Sequence, residues 1–550
     1  MLSHLTVRSR VGHEFLYIRR RRWLGSWENT SSSSSSSSSR DTIFAPCTGG
    51  VSLSEEGSNV FSYQQPSSVS VIRVSGPHAL DVMHRMVGPN VMPTSSSCSS
   101  LGWQTHRMYV RSLYHPSLGD ANGEHNTYTT STTTQENNIN NTSGVLLDHQ
   151  AMVVHFKQPH SFTGEDVVEF HVHGGRGVVQ GVLDALMSFG NHVRPAEPGE
   201  FTKRAFQNGK MDLTQIEGLG DLLSSQTAAQ RDVALASATG LGKDIVRRWR
   251  QSLITCIASI EAVIDFGEDD IEPDDVNHVL ERAQEMADGL YHDIQAHIQA
   301  APRTEMIKEG IRAVLVGPPN VGKSSLLNAL VGRQAAIVSH HAGTTRDVIE
   351  TALDLHGHKV IIQDGAGIRD VLDDDIEKEG ISRILHAAKH AHILIVMSSF
   401  GMDHDDDGFE NLAELVDGAP CVLYVKNKMD LSDDNAPLSE STDRQERLIS
   451  CKTGHGMDTL INDMAQAVKQ LTASPIPHGS TSIPPVLHRK RHLRHLHNAA
   501  LALDRFRQMT ALELAAEELR MAARQVERIT GDIDVEDILD SIFTEFCIGK

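Results

Sequence analysis

The sequence is short of three things, and each shortage narrows what the chain can be. No uninterrupted apolar run approaches the roughly 18–20 residues that a helical membrane span needs. Cysteine is scarce: the six, at 47, 98, 256, 421, 451 and 547, include no C-x-x-C pair. That argues against a disulfide framework or a structural zinc site and suits a reducing compartment, with five of the six read as small core or surface residues. Positive charge is outnumbered, 50 Lys and Arg against 71 Asp and Glu, for a formal net charge of −21. Nonspecific electrostatic binding of nucleic acid by the whole protein is therefore disfavoured, while a local basic patch stays open. Histidine is plentiful at 30, but those of residues 489–497 fall in a charged helical stretch and read as a solvated face rather than a metal site.

The 39% hydrophobic and 22% charged composition is that of an ordinary globular protein, and 550 residues at about 150 per domain give three or four domains. Residues 1–40 read otherwise. Ahead of the serine run, six arginines (8, 10 and 19–22) face only Glu14 and Glu28, and nine serines follow at 31–39, the make-up of a mitochondrial presequence, with a disordered basic tail as the alternative. Residues 41–208 alternate strand-like runs (69–74, 151–156, 167–172) with turns, an α+β module interrupted at 119–143 by an Asn/Thr/Ser/Gly-rich flexible insertion. His171 and His173 share one strand face and read as packed or hydrogen-bonded, with metal binding the weaker alternative. Residues 209–305 turn helical, with Val246, Trp249, Leu253, Ile257, Ile260 and Ile264 spaced 3, 4, 4, 3 and 4, and Pro302 is expected to end the run. An α/β unit occupies 306–473, a proline-rich linker 474–485, and helical periodicity resumes over 486–550. Two helical blocks around an intact α/β unit suggest one bundle into which that unit is inserted.

The chemistry is announced at residues 317–324, GPPNVGKS, which fit G-x-x-x-x-G-K-[ST] between an apolar strand (311–316) and a helix start (325–331). The glycines let main-chain N–H groups of Asn320, Val321, Gly322, Lys323, Ser324 and Ser325 close around phosphate, Lys323 reaches the β- and γ-phosphates, and Ser324 ligates Mg²⁺. A strand at 360–363 ends in Asp364-Gly365-Ala366-Gly367, a D-x-x-G element 41 residues beyond Lys323, for Mg²⁺-bound water and the γ-phosphate. A further strand, 422–425, leads to Asn427-Lys428-Met429-Asp430, whose carboxylate accepts from guanine N1 and N2; Ser450-Cys451-Lys452 then closes over O6. Four elements in order, each at a strand's end, define a GTP site. Ile368 stands where many GTPases place a water-orienting glutamine, so hydrolysis needs other help, while Thr345 within residues 343–347 (GTTRD) completes the Mg²⁺ shell.

GTTRD with PNVGKS resembles the TrmE–Era–Der group of GTPases. SFTGED (161–166), HGG (173–175), RPAEPGEFTKRAF (194–206), NGKMDL (208–213) and the terminal FCIGK (546–550) narrow the resemblance to the MnmE family, also called TrmE, over roughly residues 41–550. The resemblance implies a multidomain α+β and α/β protein. Its parts are an N-terminal folate-binding and dimerisation domain, a discontinuous helical domain, and an inserted P-loop GTPase domain of TrmE–Era–Der type. It further implies K⁺-stimulated GTP hydrolysis, with Asn320, Ser339, His341 (through its carbonyl), Gly343 and Thr344 around the cation, and Glu377 orienting water. Folate, as 5,10-methylene- or 5-formyl-tetrahydrofolate, maps onto Arg73, Glu169, Lys210 and Lys550, with Cys547 as the active thiol. The implied partners are a second copy, an MnmG-type flavoprotein carrying FAD in a heterotetramer, and mitochondrial tRNA in the matrix. The implied reaction places a 5-(carboxymethyl- or tauro-)aminomethyl group on the wobble uridine. The chain departs from the family at residues 57–70, where a Gly-rich segment is usual, and at Gly365 of D-G-A-G. Two other readings remain: an Era/Der-like ribosome-assembly GTPase, which should carry a basic RNA-binding domain after the GTPase domain, and a GTP-binding scaffold without folate chemistry.

Overall fold

The computed structural model describes residues 41–48, 51–53, 61–63, 67–87, 104–116, 145–270, 273–318, 320–337, 350–364, 386–400, 419–431, 446–473, 486–509 and 511–531. The expected presequence (1–40), the insertion (119–143), the linker (474–485) and most of the divergent segment 57–70 lie outside them. The described residues form two units, divided between Lys210 and Met211.

In the first unit the chain runs β1 (Thr42–Pro46), β2 (Val51–Leu53), β3 (Phe61–Tyr63), β4 (Val69–Ser75), α1 (Ala79–Val87), β5 (Met108–Tyr114), β6 (Leu146–Phe156), β7 (Val167–His173), α2 (Arg176–Met187), β8 (Val193–Pro195) and α3 (Glu200–Gln207). Six of the strands make one sheet in the order β5-β6-β7-β4-β1-β8, and β2 and β3 pair separately. All its ladders are antiparallel except β1 with β8. Because side chains alternate across a strand, β4 and β7 send Ile72, Val74, Val168, Phe170 and Val172 to one face, where α1 and α2 cover them. The same alternation sends Arg73, Glu169 and His171 to the other face. Every residue of β1 is buried, since both faces are covered there: Phe44 joins the α1/α2 core, and Ile43 and Ala45 pack on Phe201 of α3.

The second unit runs α4 (Leu213–Ser224), α5 (Ala228–Ala238), α6 (Leu241–Asp270), α7 (Pro273–Glu309), β9 (Ile311–Val316), α8 (Lys323–Arg333), β10 (Ala335–Ala336), β11 (Glu350–Leu355), β12 (His358–Asp364), β13 (Ile393–Ser399), β14 (Cys421–Asn427), β15 (Arg447–Leu448), α9 (Met457–Thr472), α10 (Lys490–Gln508) and α11 (Leu512–Thr530). Its sheet has the order β10-β11-β12-β9-β13-β14-β15, with β12, β9, β13, β14 and β15 parallel. Alternate residues of β9 face opposite layers: Ile311, Ala313 and Leu315 one way, Val314 and Val316 the other. Strand order reverses at β9, which opens a crevice at the strands' C-terminal ends, where ligands of such sheets bind.

Side chains from before and after this sheet share one core. Val246, Trp249, Leu253, Ile257 and Ile260 of α6 pack with Leu496, Leu503 and Phe506 of α10 and Leu519, Val526 and Ile529 of α11. The α6 stripe read from spacing is therefore the bundle's seam. Two expectations need correction. Pro302 does not end its helix; α7 continues to Glu309. A mid-helix proline loses one backbone hydrogen bond, but Ala300, Ala301, Thr304 and Ile307 are buried around it and hold the turn in place. Nor are the histidines after Arg489 all on a solvated face: His492 and His495 are 1% and 5% exposed. Burial disfavours the charged imidazole, so both are held below the ordinary histidine range.

Candidate functional site

The second unit gathers three loops at the C-terminal edge of its sheet. The β9–α8 loop turns through two left-handed residues, Asn320 at φ +66° and Gly322 at φ +99°. Asparagine tolerates that region; at Gly322 a Cβ would also stand 2.3 Å from Asn427 Nδ2. Helix α8 makes its first ladder bond from Leu326 N–H to the Gly322 carbonyl at 2.8 Å, so the amides of residues 323–325 belong to the helix's N-terminal turn. These amides and the positive end of the helix dipole suit an anion. Lys323 is buried, and its Nζ donates to the carbonyls of Gly317 (2.7 Å) and Pro318 (2.9 Å), which holds the ammonium over the loop.

Asn427, at the end of β14 and 3% exposed, ties the loops together. Its Nδ2 donates to the Val321 carbonyl at 2.9 Å, and its Oδ1 accepts from Cys451 N–H at 3.2 Å. One carboxamide thus joins the phosphate loop, the N-K-M-D turn and the S-C-K turn. Asp430 sits on a short 3-10 turn, Met429–Leu431, whose Met429 N–H donates to the Ile449 carbonyl at 3.1 Å. The buried Ser450 hydroxyl donates to Asp430 Oδ1 at 2.7 Å, and Lys452 Nζ lies 4.0 Å from Oδ2. The Ser450 hydrogen bond, with Lys452 and Lys428, holds the Asp430 carboxyl below its ordinary range, so it is an acceptor at neutral pH. Burial pushes the Cys451 thiol up, so this cysteine contributes backbone and packing rather than a nucleophile. Asp364 ends β12 opposite Leu315, beside the phosphate loop. Of the remaining nucleotide and cation residues named from sequence, Ser339, His341, Gly343, Thr344, Thr345, Gly365, Ala366, Gly367 and Glu377 lie outside the described residues.

The first unit presents a polar cluster on the sheet face away from α1 and α2. Arg73 and Glu169 are cross-strand partners of β4 and β7, with Nε donating to Oε1 at 2.9 Å. The Arg73 guanidinium lies over Phe162 (5.2 Å to the ring centroid) and Phe201 (5.7 Å). His171 Nε2 is 3.4 Å from Glu169 Oε2 and His173 Nδ1 is 3.0 Å from Asp148, so each histidine has a carboxylate beside it. Burial raises the Glu169 carboxyl, but His171 and Arg73 outweigh it and leave the group below the ordinary range. Lys210 Nζ donates to the Pro159 carbonyl at 2.9 Å, at the start of the loop that carries Phe162. Sequence reasoning missed the next layer. Arg204, 5% exposed, bridges Glu165 (3.1 Å) and Glu200 (3.0 Å), and Glu200 also takes Arg194 at 2.7 Å. All four lie within motifs read as family marks, but nothing in their spacing reveals that they pair. Cys547 and Lys550 lie outside the described residues.

Phosphate loop, D-x-x-G strand end and guanine-reading turns on a parallel sheet define the class: a P-loop GTPase. The comparisons narrow it. The profile of the MnmE helical domain matches residues 213–547, and that of the GTP-binding protein TrmE N-terminus matches residues 59–210. The chain is 44% identical to the tRNA modification GTPase MnmE of Paramagnetospirillum magneticum over 412 residues, 74% of this chain and 88% of that one. It is 37% identical to the mitochondrial 5-taurinomethyluridine-[tRNA] synthase subunit GTPB3 of Rattus norvegicus over 524 residues, 92% and 96% of the two chains. The human counterpart is 35% identical over 543 residues, 96% and 100%. The chain belongs to the MnmE/TrmE family.

Proposed function

We propose that this protein is the GTP-hydrolysing subunit of a mitochondrial complex that modifies the wobble uridine of tRNA. The observation that carries the reading is the Asn427 carboxamide. It binds the phosphate loop to the guanine-reading turns and so makes one nucleotide site, in a chain whose relatives are tRNA modification GTPases and mitochondrial taurinomethyluridine synthase subunits. Domain limits follow the sequence reading: 41–208, 209–305 with 486–550, and the inserted 306–473.

In this reading Lys323 and the first-turn amides of α8 hold the triphosphate, Ser324 and Thr345 hold Mg²⁺, and Asp430 selects guanine. Asn320, with Ser339, His341, Gly343 and Thr344, would hold K⁺, which neutralises charge on the transferring phosphoryl group, and Glu377 orients water. Asn320 belongs to the loop before α8, where it takes a left-handed backbone. Folate would lie against Arg73, Glu169, Lys210 and Lys550. The Arg73 guanidinium, paired with Glu169 and close to the partly exposed Phe162 ring, offers a charged edge beside an aromatic surface, suited to a flat heterocycle with donors and acceptors. When bound, the folate supplies the one-carbon unit; the residues here bind and orient it, and Cys547 provides the thiol near it. An MnmG-type flavoprotein carrying FAD is the partner, in a heterotetramer built on a homodimer.

Two experiments test this. Hydrolysis should be faster in K⁺ than in Na⁺ at equal ionic strength; equal rates would remove the cation site. Mass spectrometry of wobble nucleosides in mitochondrial tRNA from cells lacking the protein should show unmodified uridine, and unchanged nucleosides would remove the function.

A further inference from the structure

Helix α5 has a role in the second unit that neither nucleotide loops nor folate residues account for. Its first turn is gripped by backbone from two sides, the tip of a hairpin of the GTPase sheet and the last turn of α7. The tip of the β11–β12 hairpin, His356 (φ +49°) and Gly357 (φ +86°), is a tight two-residue turn closed by the Asp354 carboxylate on the Gly357 N–H at 2.7 Å. The Gly357 carbonyl accepts from Ala229 N–H at 2.9 Å, which fills one of the donors that a helix N-terminus leaves open. A Cβ on Gly357 would stand 3.3 Å from that of Ala228, so the approach is close. On the other side, Gln230 Nε2 donates to the Lys308 carbonyl at 2.7 Å, in the last turn of α7 just before β9. Gln230 Oε1 meanwhile accepts from Gln226 and Thr227 N–H at 2.9 and 3.2 Å, which completes the capping of α5.

The opposite ends of those two strands are the nucleotide site. Strand β9 feeds the phosphate loop and β12 ends in Asp364, with β11 and β12 in register throughout. From α5 the contacts continue into the bundle. Helix α4 packs against α5 so closely that a Cβ on Gly218 would be 2.5 Å from Ala238 N. Asp221 of α4 takes both Lys308 and Arg489 at 2.9 Å. Glu217 takes His492 at 2.8 Å and Arg491 at 3.2 Å, and Arg491 reaches on to the Arg528 and Ile529 carbonyls of α11, each at 3.0 Å. Burial alone would raise the Glu217 carboxyl, but the His492 hydrogen bond and the Arg491 and Arg489 guanidiniums outweigh it and keep the group ionised, so the joint is a polar lock rather than a sliding apolar face.

We infer that the first turn of α5 is a positioning element that couples nucleotide state to the bundle, with Ala229 and Gln230 as its contact residues. A shift of β12 relative to β9 during GTP turnover pulls on two different bonds of one rigid turn. The helix, and through Gly218, Glu217 and Asp221 the α10–α11 pair, must follow. The modification readout below rests on the proposed function; the exchange readout does not.

The test uses two variants of the full chain. Ala229→Pro removes the N–H that binds Gly357 at a first-turn position, where proline is tolerated in a helix. Gln230→Glu keeps the Oε1 acceptor of the cap but loses the donor to Lys308. Both should keep GTP hydrolysis within about twofold, whereas uridine modification per GTP consumed should fall about tenfold, within the usual span of coupling between sites. In the unsubstituted chain, exchange of the α5 and α10 amides should differ between the GDP state and a hydrolysis-transition-state analogue, and either substitution should erase that difference. Unchanged modification per GTP, or a nucleotide-dependent exchange difference that persists in both variants, overturns the coupling. If the unsubstituted chain modifies no uridine, the proposed function fails, while the exchange measurement still decides this inference.

Discussion

The nucleotide site and the polar face of the first unit do their work with different materials. At the proposed nucleotide site the groups on offer are largely backbone: amides at the start of α8, a left-handed Asn320, and turns held by Asn427. Side chains there mostly lock loops together. On the polar face and the layer behind it the groups are ionic side chains: Arg73 pairs with Glu169 across two strands, and Arg204 of α3 pairs with Glu200 one turn away and with Glu165 of the β6–β7 loop. A backbone-built site tolerates few residue types at fixed spacing. A side-chain network can be assembled from many spacings. The first therefore fails sharply when one position changes, and the second loses stability and fit by degrees.

The sharpest break should come at Asp430. Asp430→Asn cannot accept from guanine N1 and N2, and GTP affinity measured by competition should fall about 10⁴-fold, as for sites deprived of the group they were built to pair. Next comes Gly322→Ala, which meets Asn427 Nδ2 at 2.3 Å with φ at +99°. About 1–3 kcal/mol of strain is expected, read as ten- to hundredfold weaker nucleotide binding by titration. On the polar face, Glu169→Ala leaves Arg73 without its partner. Since both side chains keep some exposure, 15% and 19%, about 1–3 kcal/mol is lost in denaturant unfolding rather than the full cost of a deeply buried charge.

The smallest effect is a pH dependence. Glu169 and Glu200 are both held below their ordinary range, so each favours the folded state above the unfolded pKa of about 4.3. That contribution drains away as pH falls below it through the folded values. Unfolding midpoints between pH 5 and 3 should decline less steeply in Glu169→Ala; an equal decline would remove Glu169 from the account.

The same contrast explains what could be read from the residues alone. Strands 69–74, 167–172 and 311–316 and the helix after Ser324 were legible because alternation, glycine punctuation and an apolar run agree with one another there. The turns after β9 and β14 were legible because left-handed backbone restricts residue choice at Asn320, Gly322 and Lys428. His492 was misread because its partner Glu217 stands 275 residues away, and a helix rich in Arg and His looks solvated until that partner is known. Arg204 was passed over for the same reason, its partner Glu165 being 39 residues distant. Pro302 was misread because local propensity yields to the buried residues around it, a tertiary effect that no window of sequence contains.

The central claim is that the guanine-reading site drives chemistry on tRNA performed elsewhere in the chain. Asp430→Asn tests it directly, because the asparagine amide can donate to the oxygen that xanthine carries in place of the guanine 2-amino group. With the proposed flavoprotein partner and folate, and with tRNA, present, the variant should fail to modify wobble uridine with GTP and regain modification with XTP, read by nucleoside mass spectrometry. Modification that persists undiminished with GTP, or XTP hydrolysis that proceeds with no modified uridine, would contradict it.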